Sequence, residues 1–159
     1  MAVKKNDTDK YKDKKHKKNP TGKNARIPNE KKSAKSTIGK KQTWRAGNML
    51  YPVPAVMVSM AREGEKPNII TVAWAGTVNS DPVMLSISVR KERYSHAILS
   101  ETGEFVVNLV NEPLVRACDY CGVRSGRDVD KFSQMKLTPA AVEGVVAPAI
   151  AESPVNLAC

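Results

Sequence analysis

Residues 68–81 read Asn-Ile-Ile-Thr-Val-Ala-Trp-Ala-Gly-Thr-Val-Asn-Ser-Asp, NIITVAWAGTVNSD. The stretch opens as a β-strand, because Ile69, Ile70, Thr71 and Val72 are β-branched side chains that fit a pleated, half-buried surface. Its character then changes. Ala73, Ala75 and Gly76 are small, Trp74 stands among them, and Thr77, Asn79 and Ser80 add short polar groups. Asp81-Pro82 ends it as a turn. A strand end built of small residues exposes backbone N–H and C=O groups, and glycine in a strand often marks close approach of a ligand or another backbone. A flat heteroaromatic ring edged with donors and acceptors would suit such a surface. A buried strand running into a loop accounts for the same residues.

On the N-terminal side, Leu50-Tyr51-Pro52-Val53-Pro54 is an extended, proline-stiffened entry, and Ala55–Met60 (AVMVSM) is a strand. The polar turn Arg62–Pro67 contains Gly64 and predicts a hairpin into the opening stretch. On the C-terminal side, Val83–Val89 (VMLSISV) is a third strand. Alternation puts Met84, Ser86 and Ser88 on one face and Val83, Leu85, Ile87 and Val89 on the other. Tyr94–Ser100 reads as a short helix with Ser95 as N-cap, stopped by Thr102-Gly103. Phe105–Val110 is a fourth strand with Asn108 inside an apolar run. Glu112–Tyr120 is a second helix with Pro113 near its first turn, closed by Cys121-Gly122. A polar loop, Ser125–Asp130, leads to a helical turn around Lys131-Phe132. Pro139, Gly144, Pro148 and Pro154 punctuate the remainder until Val155, Leu157 and Cys159 begin a strand. That alternation stops without a cap or turn, as in a fragment of a longer protein or an interrupted reading frame. The predicted order is β-β-β-α-β-α-loop-β. Without a βαβ alternation or a GxGxxG, it disfavours a doubly wound dinucleotide fold and predicts a mainly β, antiparallel small barrel with accessory helices.

Charge divides the chain. Its formal net charge is +10, yet residues 1–43 hold 15 of the 26 Lys and Arg and only 4 of the 16 Asp and Glu, a net of +11. Residues 44–159 hold 11 basic and 12 acidic groups, a net of −1. The sequence thus predicts a disordered basic extension over 1–43, too poor in apolar side chains to offset its ordering entropy, and one folded domain over 44–159. The extension suits polyanions through counterion release, or simply solubilises the domain attached to it. Its one aromatic, Tyr11, does not support base stacking. Three cysteines make no disulfide framework. No run reaches the roughly 18 apolar residues of a membrane span, and the Lys-rich N-terminus lacks the apolar region of a secretory signal. These features predict a cytoplasmic protein.

Two constellations stand out. Ser88, Arg90, Lys91 and Arg93 lie beside the helix that begins near Ser95, and hydroxyl, guanidinium and helix N–H groups together suit a phosphate. A solvated charge cluster would look the same. Cys118-Asp119-Tyr120-Cys121 is a CxxC, which serves as a dithiol couple or half a zinc site. Only Cys159, His16 and His96 remain to complete a metal site, and this CxxC closes a helix rather than opening one. One cysteine in the core and the other incidental is the plainer account.

Taken together, these stretches resemble the flavin reductase-like, FMN-binding split-barrel family, in its flavoredoxin branch. The matching residues are Pro52-Val53-Pro54, Asn68–Gly76 with Asp81-Pro82, Ser88-Val89-Arg90 with Tyr94-Ser95-His96, Gly103–Asn108, Cys121-Gly122 with Ser125-Gly126-Arg127, and Asp130-Lys131-Phe132. The resemblance implies a six-stranded split barrel, a homodimer, and FMN at or near the subunit interface. It implies that the isoalloxazine ring lies against Ala73, Trp74, Ala75, Gly76 and Thr77, and that the phosphate sits near Ser88, Val89, Arg90, Tyr94 and Ser95. Asn108 and Lys131 join the cofactor-binding set, with the Ser125–Asp130 loop closing over the site. It implies an oxidoreductase that moves electrons from NAD(P)H to flavin, or a flavoredoxin-type carrier that works with a protein redox partner. No acid–base residue is assigned, because hydride transfer to flavin requires none. The family domain normally continues past the position of Cys159, so the barrel is expected to lack its last elements.

Overall fold

The structure, a computed structural model, describes residue 39 and residues 41–159. The expectation of a disordered basic extension falls almost entirely on residues outside that range. Residues 46–159 form one compact unit, and the fold is that unit's.

Strands β1 (Val56–Met60) and β2 (Asn68–Val72) make the predicted hairpin, with Val58 opposite Ile70. β5 (Val106–Asn108) pairs with the other edge of β1, placing Val107 opposite Val58, and β8 (Asn156–Ala158) pairs with β5. The sheet order is β2-β1-β5-β8, antiparallel throughout. β1 is buried along its whole length, which is why it reads as a near-continuous apolar run rather than an alternation. From one side Met57 and Ile69 pack with Ala117, Cys118, Cys121 and Phe132. From the other, Val56, Val58 and Met60 pack with Ile70, Val72, Ile98 and Val107.

The helices are α1 (Tyr94–Thr102), α2 (Val115–Val123), led by a short 3-10 turn at Glu112–Leu114, and α3 (Lys131–Met135). α1 ends as predicted: Gly103 takes φ 69° and returns its N–H to the Leu99 carbonyl. Its start differs. Arg93 occupies the N-cap, and Ser95 lies one residue inside the helix, buried, accepting a 2.9 Å hydrogen bond from the Asn68 amide. The buried amide of Asn68 draws the hydroxyl into the core, so Ser95 cannot cap. Cys121 and Gly122 fall within α2 rather than closing it.

Two further hairpins complete the chain. Residues 68–81 divide at Ala73-Trp74: β2 stays on β1, while β3 (Ala75–Ser80) turns at Asp81-Pro82 and pairs with β4 (Val83–Ile87). The Ser88 N–H bonds the Trp74 carbonyl at 2.8 Å and holds the division in place. Leu85, Ile87 and Val89 pack inward as alternation predicts, whereas Val83, at the strand end, is exposed. The second hairpin, β6 (Pro139–Val142) with β7 (Val145–Ile150), turning at Gly144, is not in the predicted order. Its prolines argue against strands locally. They are tolerated because the pair forms a two-stranded sheet of its own, with edges free of a ladder. The architecture is therefore mainly antiparallel β with few helices, and its three sheets do not close into a barrel. Among the described residues no helix is long and apolar enough to cross a membrane.

Candidate functional site: a small-residue groove with a basic end

A groove of about 600 Å³ lies along the start of β3. One wall is the small-residue run Ala73–Gly76, with Ser86 and Ser88 from the strand opposite and its exit. The facing wall is the extended segment Gly47–Val53, which contributes Met49, Leu50 and Tyr51. Trp74 stands at the edge, 57% exposed. A Cβ built on Gly76 meets nothing within 4 Å, so the backbone there faces open space. Tyr51 is the only titratable side chain in the lining, so the groove carries no carboxylate, imidazole or amine for proton transfer.

At one end the groove becomes basic. An adjoining hollow shares Asn48, Trp74 and Ser88 with it and adds Val89, Arg90 and Arg93. Of the predicted site residues, Ala73, Trp74, Ala75, Gly76, Ser88, Val89 and Arg90 are thus brought together. Thr77 lies one residue beyond, exposed and opposite Leu85, outside the lining. Tyr94, Ser95 and Lys131 line a separate cavity at the start of α1.

Asn108 lines neither. It is fully buried, with its amide nitrogen within 3.0 Å of the Met57 carbonyl, 2.9 Å of Ser59 Oγ and 3.1 Å of the Val106 carbonyl. Its Oδ1 accepts from the Ile150 N–H at 2.8 Å and from Asn156 at 2.7 Å. Every polar atom of this side chain is engaged by the main sheet and by β7. Lys131 is also buried, 3% exposed, and its Nζ donates to the carbonyls of Ile69 at 2.5 Å and Cys121 at 2.9 Å. Burial lowers its pKa from the ordinary lysine value.

The sequence reads Leu50–Pro54 only as an entry to the domain and assigns no role to residues 47–49. The signal of residues 47–53 was the density of large apolar residues in a proline-stiffened stretch, where nothing nearby could bury them. Which strand they would face depended on contacts some 25 residues away.

Both cysteines of the CxxC, Cys118 and Cys121, lie buried in the core, and their environment opposes ionisation. Burial raises the Cys118 thiol, against a lesser lowering by Thr71, whose hydroxyl donates to the Cys118 carbonyl. Burial pushes Cys121 up to about 11. At pH 8 such a thiol is about 0.1% thiolate, and the thiolate is the reactive form. Under native conditions an aromatic disulfide reagent is expected to titrate Cys159, which is exposed, within minutes. The other two thiols should react only after denaturation. Rapid titration of all three would contradict the burial.

A sequence model of the family described as "Flavin reductase like domain" matches residues 48–159. An uncharacterised protein of Archaeoglobus fulgidus is 31% identical over 110 residues, covering 69% of this chain and 61% of that protein. Among solved structures, the flavoredoxin of Desulfovibrio vulgaris (Miyazaki F) is 34% identical with a TM-score of 0.71, over 75% of this chain and 65% of that one. The flavoredoxin from Methanosarcina acetivorans is 31% identical with a TM-score of 0.66, over 75% of this chain and 63% of that one. The chain therefore spans less than two thirds of the length of these relatives. The matched residues contain all of the groove lining but Gly47, its basic end and both faces of the core, and on that match the chain belongs to the flavin reductase-like domain family.

Proposed function

We propose that the groove holds the ring of FMN and that the chain is the flavin-binding part of a flavin reductase-like oxidoreductase which takes electrons from NAD(P)H. The observation that carries this reading is the continuity of the groove: a small-residue wall with open space at Gly76 runs directly into Ser88, Arg90 and Arg93. The volume lies within the 300–1,000 Å³ range of small-molecule sites, and the lining combines apolar walls with few polar groups. The residues present fit the cofactor. Met49, Leu50, Tyr51 and Trp74 would cover the ring and exclude water. Gly76 and its neighbours would let the ring approach the backbone. Ser88, Arg90 and Arg93 would hold the phosphate by charge-assisted hydrogen bonds. Bound FMN would supply the acceptor for hydride and the source of electrons passed onward. The lack of an acid or base in the lining is in keeping with that chemistry.

Likeness to two flavoredoxins supports a second reading, an FMN electron carrier that exchanges electrons with a protein partner. Oxidation of NADH or NADPH in the presence of FMN favours the reductase. Cycling of bound flavin only with a reduced protein donor favours the carrier. A homodimer is part of the proposal: Val78 and Val83 of the β3–β4 hairpin are exposed, and the hairpin's outer edges pair with no described strand. Free thiols at Cys118, Cys121 and Cys159 suit a reducing cytoplasm.

The test is a visible spectrum of the chain after FMN is added and free flavin removed by desalting. A retained flavin band is expected. The Gly76→Val variant separates site from fold, because a Cβ at this position of the groove lining meets no atom within 4 Å. Stability should stay within about 0.5 kcal/mol of wild type, while FMN affinity falls about 100-fold or more, equivalent to about 2.7 kcal/mol. Unchanged retention would place the flavin elsewhere.

A further inference from the structure

Another groove, of about 540 Å³, lies between the start of α2 with its 3-10 turn and the end of α3. It shares no lining residue with the small-residue groove or with that groove's basic end. Its floor is the core itself. Leu114, Ala117 and Leu137 line it, each less than a tenth exposed, and all three belong to the cluster that packs with Met57 and Ile69. Met135, packed against the same cluster, adds an adaptable apolar wall.

The rim carries charge of both signs. Arg116 and Lys136 are cationic, and Glu152 is the one acid. That acid is already occupied, because both its carboxylate oxygens accept from the Thr138 N–H at 3.1 Å. Burial raises its pKa, but the hydrogen bonds from Thr138 outweigh burial and hold it below the ordinary glutamate value. Glu152 therefore stays ionised at neutral pH. The two cations have no such partner. Among the described residues, the ion pairs are Arg62 with Glu65 and with Glu101, and Lys66 with Asp130. The lining thus keeps one positive charge in excess.

Lys136 also occupies a backbone position that favours glycine. It ends α3 in the left-handed region, at φ 55° and ψ 40°, and its N–H returns to the carbonyls of Phe132 and Ser133. Among the described residues it is the one non-glycine residue with positive φ. Glycine takes this conformation without a steric penalty and is the usual residue at such a helix end. Residues held in sparsely populated backbone regions cluster at ligand sites, where the side chain offsets the strain. Here the side chain retained is an ammonium at the rim of an apolar groove.

An apolar floor calls for an apolar body, and one excess positive charge calls for a single negative one. We infer that this groove is a binding site for a monocarboxylate with an alkyl or aryl body, its carboxylate held by Arg116 and Lys136 and its body laid over Leu114, Ala117 and Leu137. A guanidinium matches a carboxylate through paired donors, and an ammonium adds a point charge. The volume lies within the range of small-molecule sites. The site stands independently of any flavin bound elsewhere on the domain.

The test uses octanoate as the probe, with acetate and octylammonium as controls, and follows backbone amide NMR shifts of the full chain. Octanoate is expected to move the amides of Leu114, Ala117, Lys136 and Leu137, and to bind about tenfold or more tighter than either control. Lys136→Gly removes the ammonium and relieves the backbone, so this variant should melt no lower than wild type. It should nevertheless weaken octanoate about fivefold, the upper end for a solvent-exposed ion pair. Arg116→Gln, at an exposed position, should weaken octanoate in the same way and leave melting unchanged. Equal affinity for octanoate and octylammonium overturns the inference, because apolar adhesion alone would then account for binding. So do shifts confined to residues 47–53 and 73–76, which would place the probe in the other groove. A Lys136→Gly variant that binds octanoate like wild type, or that melts below it, overturns the inference as well.

Discussion

Replacing Asn108 with leucine is expected to destabilise the domain by about 3–5 kcal/mol, because each buried polar group left unpaired costs about 1–3 kcal/mol. The side chain is a junction. Its nitrogen reaches Met57, Ser59 and Val106 on β1 and β5, while its Oδ1 receives Ile150 from β7 and Asn156 from β8. Leucine has similar bulk and satisfies none of them. The Ile150 N–H is left facing an apolar side chain, and Ser59 keeps only its bonds to the Pro148 and Val106 carbonyls, at 2.5 Å and 3.4 Å. For a domain a little over 100 residues each kcal/mol moves the melting temperature by about 4 °C, so a drop of roughly 12 °C or more should appear in a thermal scan. A loss below about 1 kcal/mol in urea denaturation would show that Asn108 is not the junction its contacts describe. Any loss of FMN by this variant should accompany its unfolding, not precede it.

The second large effect is expected at Lys131. Lys131→Met keeps the length and apolar stem but removes the ammonium. The carbonyls of Ile69 and Cys121, joined through Nζ, lose their shared donor, while the cost of burying a charge disappears. The first effect wins because two acceptors are stranded, leaving a net loss of about 2–4 kcal/mol at neutral pH. A pH series distinguishes this from a simple packing defect. Burial lowers the Lys131 pKa from 10.5 in the folded state, so above that lowered value the unfolded chain binds the extra proton. Stability contributed by this residue therefore rises as pH climbs from the folded pKa toward 10.5. Lys131→Met lacks this contribution. The gap between wild type and variant should widen between neutral and alkaline pH, and a gap constant across that range would contradict the assignment. Burial also raises Cys121 to about 11, against a lowering by the Lys131 charge, so the comparison is read below pH 9, before this thiol titrates in the unfolded chain.

What the sequence determined by itself was whatever depends on near neighbours. β-branching and the Gly64 turn define the β1–β2 hairpin, alternation orients Leu85, Ile87 and Val89, and Gly103 stops α1. The small-residue run at Ala73–Gly76 and the arginines before Tyr94 were legible for the same reason: composition over a few residues sets what a surface can approach or attract. The tertiary structure decided how the polar residues were used. The partners of Asn108 and Lys131 lie up to 62 residues away, and those partners make the first a sheet junction and bind the second to two backbone carbonyls. Ser95 left the cap position for an acceptor's place beside Asn68, and β6–β7 formed despite its prolines because that pair lies outside the main sheet. The groove itself exists only because residues 47–53 fold against Ala73–Gly76. A local pattern encodes the conformation of its own segment, but whether a buried donor is spent or left to bind a ligand depends on which distant backbone groups the fold brings to it.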